Sequence, residues 1–347
     1  MFESIYETMR GCEYPIYIWG NGSMAHVVYK KMQEQAVLVQ GYFVNVSTCW
    51  QEQHRDVLPR LTLQELREQN KPFAVVMGHG HIELMSQIQQ EELVKEVFII
   101  PNPYDYYIPE QNVVRQALAD GIDAVRSYLV DKESQDNLLA YFTVHTENYR
   151  DFYQKVKMLD GLFYPDIWQF REDEVYYDIG AWNGDTVREF LAANNKKYKS
   201  IEAFEPDPVA SMELIRSVEG KDSIHCHRIG LASTPGKMQI QGSGTQSAFI
   251  EKTEMGNIPV YRLDDVVEKN GTPTLIKIGV PKLTLDILQG AKLTIQKNKP
   301  RLIISVAWGT SNDLLDTIKW VKQINPEYKL ALRYRLLMPT QLWLYAY

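Results

Sequence analysis

Two short stretches in the second half of the chain carry residue types whose spacing suits nucleotide chemistry. The first is Asp178-Ile-Gly-Ala-Trp-Asn-Gly-Asp-Thr186. Gly180 lets the chain leave a strand sharply and keeps side chains out of a ligand's path. Gly184 permits close contact where a helix begins. Asp185 and Thr186 fall in the first helical turn, where an acid or hydroxyl satisfies free backbone N–H groups. Asp178, at the strand end, sets a carboxylate where an ammonium group could dock. One βα unit later comes Ile201-Glu-Ala-Phe-Glu-Pro-Asp-Pro208. Glu205 falls at the carboxyl end of the next strand, where a doubly wound sheet hydrogen-bonds a ribose diol, and Pro206 stiffens the turn that follows. An acid after a strand is by itself more often a helix cap or a solvated charge. The two stretches at this spacing point more strongly to a nucleoside with a charged tail.

The elements needed to position these residues are legible around them. Val175–Ile179 reads as a strand, Gly180–Asp185 as a tight turn and the residues through about Ala193 as an amphipathic helix. Ile16–Trp19, Gly20–Ala25 and the residues through about Gln35 repeat that grammar. Strand, tight turn and helix present a helix N-terminus to an anion or nucleotide, and the repeat fits two α/β domains. The expected boundaries are a small Rossmann-like βαβ domain over 1–109, a helical connector over 110–164 and a second domain over 165–347. In the first domain, strands are expected near Val37–Val44, Phe73–Met77 and Val97–Ile100, with helical stretches at Leu63–Gln69 and Ile82–Gln89. The connector shows helical spacing at Val113, Val114, Ala117 and Leu118 and again at Leu138, Leu139 and Phe142, with Asp131–Asp136 read as a polar break.

In the second domain the pattern predicts strands at 175–179, 200–204, 224–229, 274–280, 301–306, 328–334 and 341–346. Helices are predicted at 184–194, 207–218, 283–297 and 311–324. Lys237–Gln241 and Ile258–Tyr261 suggest a hairpin inside an insert. Only Leu336–Thr340 separates the last two strands, too few residues for a parallel crossover, so they must pair antiparallel. The expected fold is α/β, with two Rossmann-like domains. The second is a seven-stranded, mostly parallel sheet with a terminal antiparallel hairpin.

On these motifs the chain resembles the class I S-adenosylmethionine-dependent methyltransferases, specifically the FkbM family. Asp178 to Thr186 resemble the family's opening motif, and Phe204 to Pro208 its Phe-Glu-Pro-Asp-Pro. Arg228–Leu231 is similar to the segment bordering the adenine, Arg262–Val266 to the family's Leu-Asp-Asp stretch and Leu288–Ala291 to its Leu-x-Gly-Ala. The resemblance spans roughly 170–310. It implies S-adenosylmethionine as cofactor, held by Asp178, Gly180, Ala181, Asn183, Gly184, Asp185, Thr186, Glu205, Pro206, Asp207 and Leu231. Asp178 would face the methionine ammonium and Glu205 the ribose. The implied activity is O-methylation of a sugar or another polyhydroxylated metabolite.

One departure stands out. The family typically has Lys-Ile-Asp-Val-Glu-Gly-Ala-Glu after strand four, whereas this chain reads Lys277-Ile-Gly-Val-Pro-Lys-Leu-Thr284. Gly279, Pro281 and Thr284 replace the three acids near the methyl-transfer position. No catalytic base is assigned, and the alternative reading is a catalytically impaired protein that binds S-adenosylmethionine or a nucleotide-sugar. Lys277 reads as a substrate clamp or as a side chain reaching the surface, and His225 and His227 as structural. Trp182 reads as a cofactor contact or as packing, and the hydroxyl-rich Gly242–Ala248 loop as an acceptor cover or a plain hairpin loop.

The first glycine turn, Gly20-Asn-Gly-Ser-Met-Ala25, matches a dinucleotide fingerprint. The acid expected at the end of strand two is replaced by Asn45, which weighs against a nicotinamide cofactor and leaves a nucleotide-sugar, pyrophosphate or scaffold role. His79 and His81 read as loop residues, since a metal needs further ligands.

Composition bounds the rest. The chain has 347 residues, 45% hydrophobic and 23% charged, with 37 Lys and Arg against 44 Asp and Glu for a net charge of −7. That excludes a disordered chain and weighs against nucleic acid as a partner. Cys12, Cys49 and Cys226 form neither a disulfide framework nor a zinc set. The start lacks the pattern of a secretory leader, and no run reaches the ~20 apolar residues needed to span a bilayer. The expectation is a cytoplasmic protein that acts on a small molecule, carbohydrate in class, without a membrane partner and with homo-oligomerisation open.

Overall fold

A computed structural model describes residues 5–46, 58–78, 85–100, 122–143, 156, 161–241, 249–253, 255–280, 282–306, 311–335 and 341–347. His79, His81, Cys49, Pro281, the Gly242–Ala248 loop, the apolar positions at 113–118 and the 336–340 connection lie outside them. Contacts divide the chain into two compact units. One comprises Met1–Gln116, Asp136–Lys157 and Leu336–Thr340, the other Ala117–Gln135, Met158–Arg335 and Gln341–Tyr347. The expected connector is shared between them.

In the first unit, strands β1 (Ile16–Trp19), β2 (Gly41–Val44), β3 (Arg60–Thr62), β4 (Phe73–Met77) and β5 (Val94–Phe98) form a sheet in the order β3-β2-β1-β4-β5. Every pairing is parallel. Phe73 to Met77 are all buried, the continuous apolar run that a strand covered on both faces requires. Helices α1 (Ile5–Arg10), α2 (Ser23–Glu34), α3 (Leu63–Gln69) and α4 (Met85–Ile88) follow the alternating pattern. The short strand β3 was not expected from the sequence. It leads into a capping box in which Thr62 accepts the Glu65 N–H and Glu65 accepts the Thr62 N–H.

Helices α5 (Ile122–Arg126) and α6 (Lys132–Thr143) come next. Asp131–Asp136 is not a break but the start of α6. The Asp131 carboxylate accepts the Ser134 N–H at 2.7 Å, so its polar residues cap the helix.

The second unit contains a seven-stranded sheet, built from β6 (Val175–Ile179), β7 (Ser200–Phe204), β8 (Ile224–His227), β13 (Leu275–Ile278), β14 (Arg301–Ser305), β15 (Leu330–Tyr334) and β16 (Leu342–Ala346). Its order is β15-β16-β14-β13-β6-β7-β8, with β16 antiparallel to both neighbours and the other pairs parallel. The terminal antiparallel hairpin therefore stands as expected. Its core sets Tyr176 against Phe190, ring centroids 4.5 Å apart, with Leu214, Leu275, Ile303 and Tyr345 around them.

Helices α7 (Asp185–Ala193), α8 (Pro208–Ser217), α9 (Leu263–Asn270), α10 (Thr284–Gly290), α11 (Lys292–Asn298) and α12 (Ser311–Ile324) complete this unit. The expected helix 283–297 is two helices, because the Asp264 carboxylate accepts the N–H groups of Leu293 and Thr294 and caps α11. The expected strand 224–229 ends early, at His227. After β8, β9 (Gly230–Leu231) joins a separate four-stranded sheet with β10 (Gly236–Gln241), β11 (Phe249–Lys252) and β12 (Ile258–Tyr261), in the order β11-β10-β12-β9. The expected hairpin is thus part of a larger sheet, with β10 antiparallel to both β11 and β12.

Candidate active site

The carboxyl ends of β6, β7 and β13 meet at a cavity of about 220 Å³. This is where an open α/β sheet places its ligands. Seven of the residues expected at the site line the cavity: Gly180, Asp185, Thr186, Glu205, Pro206, Asp207 and Leu231. Ala181, Asn183 and Gly184 shape the turn behind it. The Gly184 N–H donates to the Ala181 carbonyl at 2.8 Å, and the Asn183 side chain accepts the Asp185 N–H at 3.2 Å.

Two features bring the turn to its shape. Gly180 has φ +77°, and a Cβ there would lie 2.8 Å from Val280 Cγ2 and 2.9 Å from the Gly279 carbonyl oxygen. Trp182 holds φ +42°, a costly conformation for an aromatic residue, and its N–H donates to Glu205 Oε2 at 2.8 Å.

Glu205 is the hub on the β7 side. Its Oε1 accepts the Asp207 N–H at 2.9 Å while Oε2 accepts that of Trp182, and the residue is only 8% exposed. Burial pushes its carboxyl up from the ordinary glutamate range, against the pull of those two N–H groups. Each carboxylate oxygen can accept twice, so each keeps a lone pair for a ligand hydroxyl. Asp207 caps α8 by accepting the N–H groups of Val209 and Ala210.

Asp178 lies beneath the turn rather than on the cavity wall, fully buried. Its Oδ2 accepts from Thr186 Oγ1 at 2.5 Å and its Oδ1 lies 2.9 Å from Lys277 Nζ. Burial pushes the Asp178 carboxyl up, opposed chiefly by Lys277. This arrangement engages the carboxylate that the sequence suggested for an ammonium. Lys277 does not reach the surface; it turns inward, lines the cavity and donates to the Gly180 carbonyl at 2.7 Å.

His225 and His227 stay away from the cavity wall. His227 Nε2 lies 2.7 Å from Glu202 Oε2, and its ring stacks on Phe204, as a structural histidine would. Of the remaining walls, Ile229 and Gly230 belong to the Arg228–Leu231 stretch whose resemblance put it beside the adenine, whereas Met238 and the side toward β14 and β16 were not anticipated. Ile229, Gly230 and Met238 form an apolar side, with Met238 packed where a Gly230 side chain would stand. Val280, Leu283, Ser305, Arg335, Gln341 and Trp343 line the side toward β13, β14 and β16. Met238 and Arg335 sit far from the glycine turn in sequence, so spacing gave no signal for them.

In the first unit, Asn45 Oδ1 accepts the Trp19 indole N–H at 2.9 Å, so this amide is engaged within the unit. Among the described residues, no group of three or more His, Cys, Asp or Glu side chains is placed to hold a metal, and no helix is long and apolar enough to cross a membrane.

The methyltransferase FkbM domain family matches residues 178–328. The chain is similar to a solved structure of methyltransferase FkbM from Methylobacillus flagellatus KT, with a TM-score of 0.70 and 19% identity, covering 99% of this chain and 92% of that one. At that identity the likeness speaks for the fold. A fibrillarin/Nop5p complex (TM-score 0.36, 16% identity, 52% of this chain and 75% of that one) and an rRNA methylase from Streptococcus thermophilus (0.31, 16%, 51% and 86%) are too distant to carry an argument. No curated protein sequence matches the chain. Motif order, a cavity at the carboxyl ends of β6, β7 and β13, and the domain match converge on the second unit, whose residues 178–328 match the methyltransferase FkbM domain.

Proposed function

We propose that this protein transfers the methyl group of S-adenosylmethionine to a hydroxyl of a sugar or another polyhydroxylated metabolite. Family and fold imply the cofactor, and the residues present fit it. Gly180 makes the sharp bend on the cavity wall, and Glu205 keeps two acceptor positions for a ribose diol. Leu231, Ile229 and Met238 offer an apolar wall of the kind a purine needs. When bound, S-adenosylmethionine supplies an electrophilic methyl group. The chain's own residues would bind, orient and exclude water, which is where such catalysis gains most of its rate. Trp343 and Gln341 on the far wall pair a flat ring with an amide, surfaces suited to the C–H face and hydroxyls of a sugar. Free thiols at Cys12 and Cys226 support a cytoplasmic setting.

Glu205 carries this reading. Calorimetry with S-adenosylhomocysteine should show binding to the wild type and a loss of about tenfold or more in Glu205→Ala, on the scale of charge-assisted hydrogen bonds. Absence of binding by the wild type would overturn it.

A second reading is a protein that binds S-adenosylmethionine or a nucleotide-sugar without turnover. It is favoured by the wall after β13, where Gly279, Val280 and Leu283 bring no carboxylate to the cavity. Tight S-adenosylhomocysteine binding with no methyl transfer to any of a panel of sugars would support it over the first.

A further inference from the structure

We infer that Arg335 and Asp185 form the subsite for the amino-acid end of the ligand, Arg335 taking the carboxylate and Asp185 the ammonium. This rests on the reading that the cavity receives S-adenosylmethionine. A zwitterionic tail entering a partly buried cleft needs an opposite charge for each end. Asp178 is closed to it, because Thr186 and Lys277 engage its two oxygens and the residue has no exposed surface. Lys277 is likewise held by Asp178 and the Gly180 carbonyl, with its side chain only 4% exposed. Glu205 and Asp207 hold backbone N–H groups on the β7 side. Among the described charged side chains on the wall, Asp185 and Arg335 remain.

These two are reachable and poised. Asp185 stands in the first turn of α7 and Arg335 follows β15; their side chains are 35% and 21% exposed. Arg335 Nη2 is anchored on Glu189 Oε2 at 2.8 Å, and the Arg335 N–H donates to the Gln341 carbonyl at 2.9 Å. That fixes the guanidinium while Nη1 lies 3.9 Å from Asp185 Oδ2, beyond hydrogen-bond distance. An α-amino acid carries its ammonium and carboxylate side by side, so it can lie across this open pair with each charge against its opposite. Arginine's planar fork suits the carboxylate.

5′-Methylthioadenosine shares the nucleoside and thioether of S-adenosylhomocysteine but lacks the amino-acid tail, so titrating both ligands isolates the subsite. Arg335→Gln and Asp185→Asn should each weaken S-adenosylhomocysteine about tenfold or more and change 5′-methylthioadenosine by less than about twofold. Equal losses for both ligands, or no loss for either, would overturn the inference. Retained 5′-methylthioadenosine binding reports an intact fold. Should Arg335→Gln lose it along with the Glu189 anchor, the isosteric Asp185→Asn, on a partly exposed side chain, decides the matter. If the wild type binds neither ligand, the cofactor reading itself falls and takes this subsite with it; if it binds both and the variants do not discriminate, only the subsite falls.

Discussion

Lys277 Nζ lies 2.9 Å from Asp178 Oδ1, and neither side chain has appreciable exposure. The pair links adjacent strands, since Lys277 on β13 stands directly opposite Asp178 on β6. Removing one partner strands the other in a medium that solvates it poorly. Lys277→Met should therefore cost about 3–5 kcal/mol in urea unfolding at neutral pH, and Asp178→Asn added to it should restore most of that loss. A single-variant cost below about 1 kcal/mol would show that the pair does not hold this part of the sheet.

Glu205 gives the protein a pH signature. Its carboxyl is raised above the ordinary 4.5 by burial, so the folded chain keeps this proton at a pH where the unfolded chain has released it. Stability from this group is fully present below about that ordinary value and is lost as pH rises through the folded value. Measured by urea unfolding across this window, the wild type should lose stability relative to Glu205→Gln, by no more than about 1.4 kcal/mol per pH unit. A constant difference between the two proteins would contradict the assignment.

Gly180 is the third test. Alanine there must adopt φ near +77° and place a methyl group 2.8 Å from Val280 Cγ2 and 2.9 Å from a carbonyl oxygen. Gly180→Ala should lower stability by about 1–3 kcal/mol, read as a fall in melting temperature, and weaken S-adenosylhomocysteine binding in parallel. Full retention of both would mean that the turn relaxes freely.

The glycine turn and the acid of the second motif were legible in the sequence because their demands are local. A sharp exit from a strand selects Gly180, and a carboxylate one residue beyond a strand end is positioned by the strand itself. The terminal antiparallel hairpin was readable for a similar reason, since the short 336–340 spacing admits only an antiparallel return. Helix α9 left a local signal that went unread, namely Asp264 and Asp265 in its first turn and Gly271 at its end. The inward fold of Lys277 could not be seen. A side chain at position 279 would sit 2.7 Å from Lys277 Cε, so the missing acid and the buried lysine are one three-dimensional adjustment. Arg335 was equally hidden, because its partners Asp185 and Glu189 lie on α7, which only the folded sheet brings near the end of β15.

β15 is joined to the sheet through β16, which lies between it and β14. Every residue from Leu342 to Ala346 is buried there. During synthesis β15 therefore leaves the exit tunnel ahead of the strand that must receive it, and that side of the sheet stays unfinished until residues 342–346 have also emerged. Arg335, carried just past β15, can take its final place beside α7 only after that late insertion.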